Sequence, residues 1–470
     1  MSKKLTREEK CGVMSECGEC LTKREILTLL NEGRGRVYFI GVGGVSMRSL
    51  FCLCRHFGIK ASGSDRRGEP LINSLIESGE DIVIGEREAL PEDTSLIVYS
   101  HAIEKGHGER EAGRRAGIPE ISRDRLLGAL MECYEERIGV SGSHGKSTVT
   151  SMIGEIFQEA GKAPTVLSGA CLRGSRLPFK IGSLDYLIYE GCEYKDSFLS
   201  FSPTLGVFLN IELDHTDYFK DIEALSDSFC RAMRGAGKLL INADDPRLLS
   251  LALRSGVRTV TYGMAAFADY SCEVVSAKPG ALSFKVFYKG LSLGEMTLPM
   301  LGEFNISNAM AAIGASMEMG VDFHTAKGVL SKFSGIERRL ERIGEYRGRG
   351  VYYDYAHHPT EIRESVRAVR GEGGKVTVIF RPHTYSRTEG LWEGFVSSLS
   401  TADHVILLDI DGVREKNISG VTSLALSSAI GGVYCDDDSK LHDLLDHTEG
   451  DIIVMGAASL DGVRALLVGN

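Results

Sequence analysis

The sequence predicts an α/β protein of three domains in series. Short apolar runs alternate with helical segments along most of the chain, which argues parallel sheets of the doubly wound type. Two charged stretches, MECYEER (131–137) and IERRLERIGEYRGRG (336–350), interrupt that rhythm. A chain of 470 residues is also too long for one hydrophobic core.

Residues 1–35 read as an N-terminal arm. Its start, MSKKLTREEK, is charged and lacks an apolar h-region, so no signal peptide is expected. Cys11, Cys17 and Cys20 cluster there without a fourth ligand at zinc spacing and read as free thiols. In the first domain, 36–134, the runs RVYFIG (36–41), IKAS (59–62), DIVI (81–84) and LIVYS (96–100) read as strands and 45–57 as a helix. In the second, 135–336, IGVS (138–141) feeds a glycine loop and a helix over 147–160. YLIYE (186–190), TLGVFLN (204–210) and KLLIN (238–242) are its later strands. From 258 to 300 the pattern turns to short alternating runs, TVTYG to LSLGEMTL, which predicts a small antiparallel flap. Helices over 305–319 and 323–333 follow. The third domain, 337–470, carries the strands VYYDYA, KVTVIFRP, HVILLDI and DIIVMG.

Hydrophobic content of 43% and charged content of 25% fit an ordinary soluble protein, and a net charge of −10 argues against a general nucleic-acid surface. Eleven cysteines, many in apolar runs like Cys52, Cys54 and Cys230, suit reduced thiols. No apolar run reaches the roughly 18–20 residues that span a bilayer. These features predict a cytoplasmic protein with no nucleic-acid or membrane partner; small-molecule substrates and a monomeric or weakly dimeric state are expected beside them, and composition fixes neither.

Four constellations carry chemistry. GVGGVSM (41–47) joins a strand to a helix, and its Gly41, Gly43 and Gly44 let backbone N–H groups approach a phosphate. Asp65 follows near the spacing of a ribose-binding acid, so a nucleotide or dinucleotide site and a bare βα turn are both open. GVSGSHGKST (139–148) lacks the first glycine of the usual phosphate loop, yet keeps Gly142, Gly145, Lys146 and Ser147 at a helix start. The lysine can balance phosphate charge and the hydroxyl can reach Mg²⁺. YEGCEYKDSFL (189–199) and NIELDHTDYF (210–219) place Glu190 and His215 at strand ends, as metal ligands or as plain capping groups. DYAHHPTEI (354–362) and FRPHTYSRT (380–388) bring His357, His383 and Arg387 to strand ends suited to an anionic substrate.

Taken in order, GVGGVSM, SGSD, GSHGKST, EGCEYKDSF, NIELDHTDYF, GEFNISNAMAA, YAHHPTEI and PHTYSRT resemble the Mur ligase family, and YAHHPTE with HTYSRT resembles its alanine-adding branch. The resemblance implies a Rossmann-like first domain that binds a UDP-sugar and a P-loop ATPase-like second domain that binds ATP. A Rossmann-like third domain closes over both. It implies an ATP-dependent ligase joining L-alanine to UDP-N-acetylmuramate through an acyl phosphate. By that resemblance Gly142, Ser143, His144, Gly145, Lys146, Ser147 and Thr148 hold the phosphates, and Ser147, Glu190 and His215 hold Mg²⁺. Asn305 and Asn308 sit near the adenine, and Arg339 and Asp354 at the third-domain hinge. His357, His383 and Arg387 face the amino acid, and Ser64, Asp65 and Ser100 the uridine end. No lysine lies between Lys220 and Lys238, where several later family members carry a carbamylated one, which agrees with the alanine-adding branch. Ser46, Gly191, Phe304, Tyr353 and Ala458 depart from the family pattern. They keep open a paralogue using another amino acid or peptide, and a UDP-sugar sensor without turnover. A nicotinamide dehydrogenase, read from GVGG and Asp65 alone, leaves the Gly-Lys-Ser loop unexplained.

Overall fold

The structure is a computed structural model that describes residues 21–31, 35–68, 70–172, 177–413, 415–418 and 420–469. Cys11, Cys17 and Cys20 lie outside them. The chain divides after Tyr134 into two compact units.

The first unit holds a five-stranded parallel sheet of β1 (Arg36–Ile40), β2 (Ala61–Asp65), β3 (Ile82–Ile84), β4 (Thr94–Tyr99) and β5 (Glu120–Ser122), in the order β3-β2-β1-β4-β5. This is the expected doubly wound half. The strand expected at 59–62 begins two residues later, as ASGSD. Small residues are needed there, because a Cβ on Gly63 would fall 2.5 Å from the Phe39 carbonyl oxygen. The helix Lys23–Asn31, within the expected arm, buries Ile26 and Leu30 and packs on the helix Arg123–Leu130.

The second unit holds two sheets. The larger consists of β6 (Glu136–Ser141), β7 (Thr165–Leu167), β8 (Phe179–Lys180), β9 (Tyr186–Gly191), β10 (Leu205–Phe208), β11 (Lys238–Asn242), β12 (Thr259–Gly263), β13 (Tyr270–Lys278), β14 (Ala281–Tyr288) and β15 (Leu291–Leu298). Their order is β15-β14-β13-β12-β11-β10-β6-β9-β7-β8. β6 lies between β10 and β9, parallel to both, so the loop leaving β6 opens into the crevice where strand order switches direction. TVTYG belongs to the parallel part, as β12 beside β11. The antiparallel flap is β13–β15 alone, continuous with the sheet. The helix Phe304–Glu318 is apolar on most of its surface and buried against this sheet.

The smaller sheet orders β16 (Glu341–Tyr346), β17 (Arg349–Asp354), β18 (Val376–Phe380), β19 (His404–Leu407), β20 (Val433–Tyr434) and β21 (Asp451–Met455) as β16-β17-β21-β18-β19-β20. Its charged lead-in, expected as a connection, forms the edge strand β16. Arg347 (φ 50°) and Gly348 (φ 79°) make a two-residue turn with both φ positive, the geometry that matches a hairpin's twist. Among the described residues no helix is long and apolar enough to cross a membrane.

Candidate active site

The buried strand β6 delivers its loop to the crevice. Gly142 (φ 151°) and Gly145 (φ 87°) shape it, and a Cβ on Gly145 would sit 2.6 Å from Asn308 Oδ1. The helix Lys146–Glu159 starts at Lys146, one residue earlier than expected, with Gly145 as its N-cap. Glycine offers no side chain to the first N–H groups, which suits an anion there. Asn210 clamps the loop from β10: its Oδ1 accepts from His144 N–H at 2.8 Å, and its Nδ2 donates to the His144 carbonyl at 3.1 Å. The Ser143 hydroxyl donates to the Glu212 carbonyl and accepts from Glu212 N–H, both at 2.9 Å.

Lys146 Nζ donates to the Glu193 carboxylate at 3.1 and 3.2 Å and to the Ser143 carbonyl at 3.2 Å. Burial opposes the ammonium charge, but Glu193 outweighs it and holds the lysine above its ordinary pKa. Ser147 and Glu190 face one point: a Cβ on Gly169 would lie 3.3 Å from Ser147 Oγ and 3.0 Å from Glu190 Oε1. A hydroxyl and a carboxylate together suit a hard cation such as Mg²⁺. His215 instead meets Glu193, with Nε2 3.8 Å from Oε1. The structure therefore pairs Ser147 with Glu190 and sets His215 apart beside Glu193, which also meets Lys146.

The third domain enters through Arg387. Its Nε donates to Asp214 Oδ1 at 2.8 Å and its Nη2 to Oδ2 at 3.3 Å, while Nη1 lies 3.2 Å from His383 Nδ1. The His357 and His383 rings are 6.4 Å apart. Burial, then neighbouring Arg387, holds His357 down at about 4 despite Glu361, so its imidazole is neutral at pH 7. His358 caps the helix Pro359–Arg370, and Glu361 completes the capping box. Glu361 Oε1 also meets His144 Nδ1 at 3.1 Å and Arg339 Nη1 at 3.6 Å.

Between this loop and the third domain lies a cavity of about 550 Å³. His144, Gly145 and Thr148 line it, together with the apolar Met300, Leu301 and Phe304. Asn305, Asn308, Arg339 and Asp354 also reach it. Asn308 Nδ2 donates to Asn305 Oδ1 at 2.9 Å, so the two amides brace each other. Burial raises Asp354 to about 6, against hydrogen bonding from Ser365. Phe304, one of the departures from the family pattern, gives the cavity an apolar wall. Tyr353 donates no such wall; its hydroxyl accepts from Leu460 N–H at 3.0 Å in the interior.

In the first unit, Gly41 (φ 79°) donates its N–H to the Ser64 carbonyl at 2.9 Å, and Gly43 N–H donates to Asp65 Oδ2 at 2.7 Å. Asp65 thus pins the glycine turn. Ser64 is buried, and its hydroxyl donates to Glu109 Oε2 at 2.6 Å. Gly44 precedes the helix Val45–His56, and Ser100 follows β4 with its carbonyl accepting from Ile103 N–H. Sequence reading quoted but did not single out Asn210, Glu193, Glu212, Asp214 and Glu361. Their position inside the matching motifs was the available signal.

Three α/β sheets with a glycine-lysine-serine loop at a strand switch point define a phosphate-binding α/β protein. Three family models match in series: Mur ligase family, catalytic domain, over 36–135; Mur ligase middle domain over 140–316; and Mur ligase, glutamate ligase domain, over 338–460. The UDP-N-acetylmuramate–L-alanine ligase of Caldicellulosiruptor saccharolyticus is 38% identical over 446 residues, covering 92% of this chain and 98% of that one. That of Aquifex aeolicus is 36% identical over 440 residues, covering 92% and 97%. The UDP-N-acetylmuramate–alanine ligase structure from Thermotoga maritima shares the fold, with a TM-score of 0.77 at 22% identity over 92% of this chain and 98% of that one. So does a murein peptide ligase from Psychrobacter arcticus, at 0.71 and 24% over 93% and 99%. The chain belongs to the Mur ligase family.

Proposed function

We propose that this protein is an ATP-dependent, cytoplasmic ligase that joins L-alanine to the carboxylate of UDP-N-acetylmuramate, a step of peptidoglycan precursor synthesis. One observation carries the reading. A continuous chain of contacts links Lys146 through Glu193, His215 and Asp214 to Arg387 of the third domain, with separations of 3.1, 3.8, 3.9 and 2.8 Å. Phosphate chemistry and amino-acid capture therefore share one site. Relatives of this name, matched over nine-tenths of this chain, support the choice of substrates.

Mg²⁺, held by Ser147 and Glu190 with His215 beyond, supplies charge neutralisation at the phosphates. The cavity takes ATP, with its base toward Phe304, Asn305 and Asn308 and its phosphates on residues 142–148. Arg339 and Asp354 close it from the third domain. The glycine turn at Gly41, Gly43 and Gly44, with Asp65 and Ser100, receives the UDP end. A muramyl carboxylate oxygen attacks the γ-phosphorus, ADP leaves, and Lys146 balances the charge in transit. The alanine amine then attacks the acyl carbon, the C–N bond forms, and phosphate leaves with the C–O bond electrons. Arg387 and His383 position the amino acid, and neutral His357 can take the amine proton.

The test is ADP release with UDP-N-acetylmuramate, Mg²⁺ and a panel of amino acids and peptides. Release that requires L-alanine is expected. Release with another acceptor only would assign a paralogue, and UDP-sugar binding without any ADP would leave a sensor.

A further inference from the structure

His144, Glu212 and His358 meet at one edge of the cavity, and the reaction above uses none of their side chains. His144 Nε2 lies 3.3 Å and His358 Nδ1 3.6 Å from the same oxygen, Glu212 Oε2, and the two rings are 4.7 Å apart. Tetrahedral ligands at Zn²⁺ bond lengths are separated by about 3.3–3.6 Å.

Each group is oriented from behind. His358 Nε2 lies 3.2 Å from the Leu213 carbonyl, an acceptor only, so that nitrogen carries the proton and Nδ1 presents a lone pair. Glu361 likewise fixes the proton on His144 Nδ1. The Thr360 hydroxyl donates to Glu212 Oε2 at 2.6 Å. His144 Nε2 then faces a carboxylate, and a lone pair there would be repelled. Something positive belongs between them: a second proton on His144, or a metal ion.

We propose that His144, Glu212 and His358 form a binding site for a divalent transition metal of the Zn²⁺ class, in competition with that proton. Two imidazoles and one carboxylate favour such an ion over Mg²⁺. None of the three is among Ser147, Glu190 and His215. Access is direct, because His144, Glu212 and Thr360 line the cavity. The ion would displace one long contact, Thr360 N–H to His358 Nδ1 at 3.3 Å. Once bound, it ties the phosphate loop to the cap of the helix Pro359–Arg370 and so opposes nucleotide entry.

Co²⁺ titration of chelator-stripped protein in excess Mg²⁺, followed by visible absorption and reversed with Zn²⁺, tests this without any turnover. One equivalent with the visible d–d bands of four-coordinate Co²⁺ and no thiolate charge transfer is expected, and ATP should compete. His358→Asn, which keeps an N-cap side chain, and Glu212→Gln should each weaken binding about 10-fold or more, with circular dichroism unchanged. No retained Co²⁺, a thiolate band, or wild-type affinity in both variants would overturn the site.

Discussion

Arg387 and Asp214 form a buried ion pair between the two sheets of the second unit, each side chain only 8% exposed. Burial alone would favour a neutral carboxyl. The Arg387 guanidinium overrides it and holds Asp214 far below the usual carboxylate range. The pair fixes the guanidinium beside His383, where the amino acid is proposed to bind.

Replacing Asp214 by Asn keeps the shape and removes the counter-charge from a buried guanidinium. Breaking such a pair costs about 3–5 kcal/mol. Urea unfolding of Asp214→Asn should show that loss, together with a raised KM for L-alanine. An unchanged midpoint would mean that the pair does not hold the third domain in place.

Lys146→Ala should lower turnover at least about 10²-fold, since it removes a cation from the charge in transit. It also takes from Glu193, 2% exposed, its nearer basic neighbour and leaves His215 at 3.8 Å. The double variant Lys146→Met/Glu193→Gln should therefore regain thermal stability over Lys146→Ala while remaining inactive. Full activity in either variant would refute the assignment of the phosphate loop.

Much of this was legible in the sequence, for physical reasons. The strands β6, β9, β10 and β11 are buried on both faces and read as apolar runs, and the loop glycines and lysine mark a strand-to-helix turn. β2 was misplaced because close approach to Phe39 demands Gly63, and β16 was hidden by charge at a sheet edge. Roles that depend on distant partners left no local trace. His144 and Glu361 stand 217 positions apart, so nothing near either names the other. Ser64 was expected at the uridine end by resemblance, and its bond to Glu109, 45 residues on, left no local trace.

Gly145→Ala tests the loop geometry directly. A positive φ strains any Cβ by about 1–2 kcal/mol, and here the added carbon would also press on Asn308 Oδ1. The helix Phe304–Glu318 must shift or the loop must open. Nucleotide affinity, read by titration calorimetry, should fall more steeply than global stability. Equal nucleotide affinity in wild type and variant would show that the loop conformation is not what binds phosphate.

The contact of His144 with Glu361 makes domain closure depend on pH, and the sign follows from the direction of the shift. Burial works against the His144 cation, but Glu361 first and Glu212 next raise its pKa from 6.5 to about 9. A group raised on folding stabilises fully below its unfolded value of 6.5 and loses that contribution as pH climbs through about 9. Glu361, held well below 4.5, acts oppositely and fails only in acid. Closure should therefore be firmest just below pH 6.5. His144→Gln should cost about 1–3 kcal/mol there and much less above pH 9, measured by thermal unfolding with chelator present so that no transition metal stands in for the proton. A difference between wild type and variant that stays constant across that range would show that His144 is neutral in the folded protein. Its Nε2 would then face Glu212 without charge, and the electrostatic account of this contact would fail.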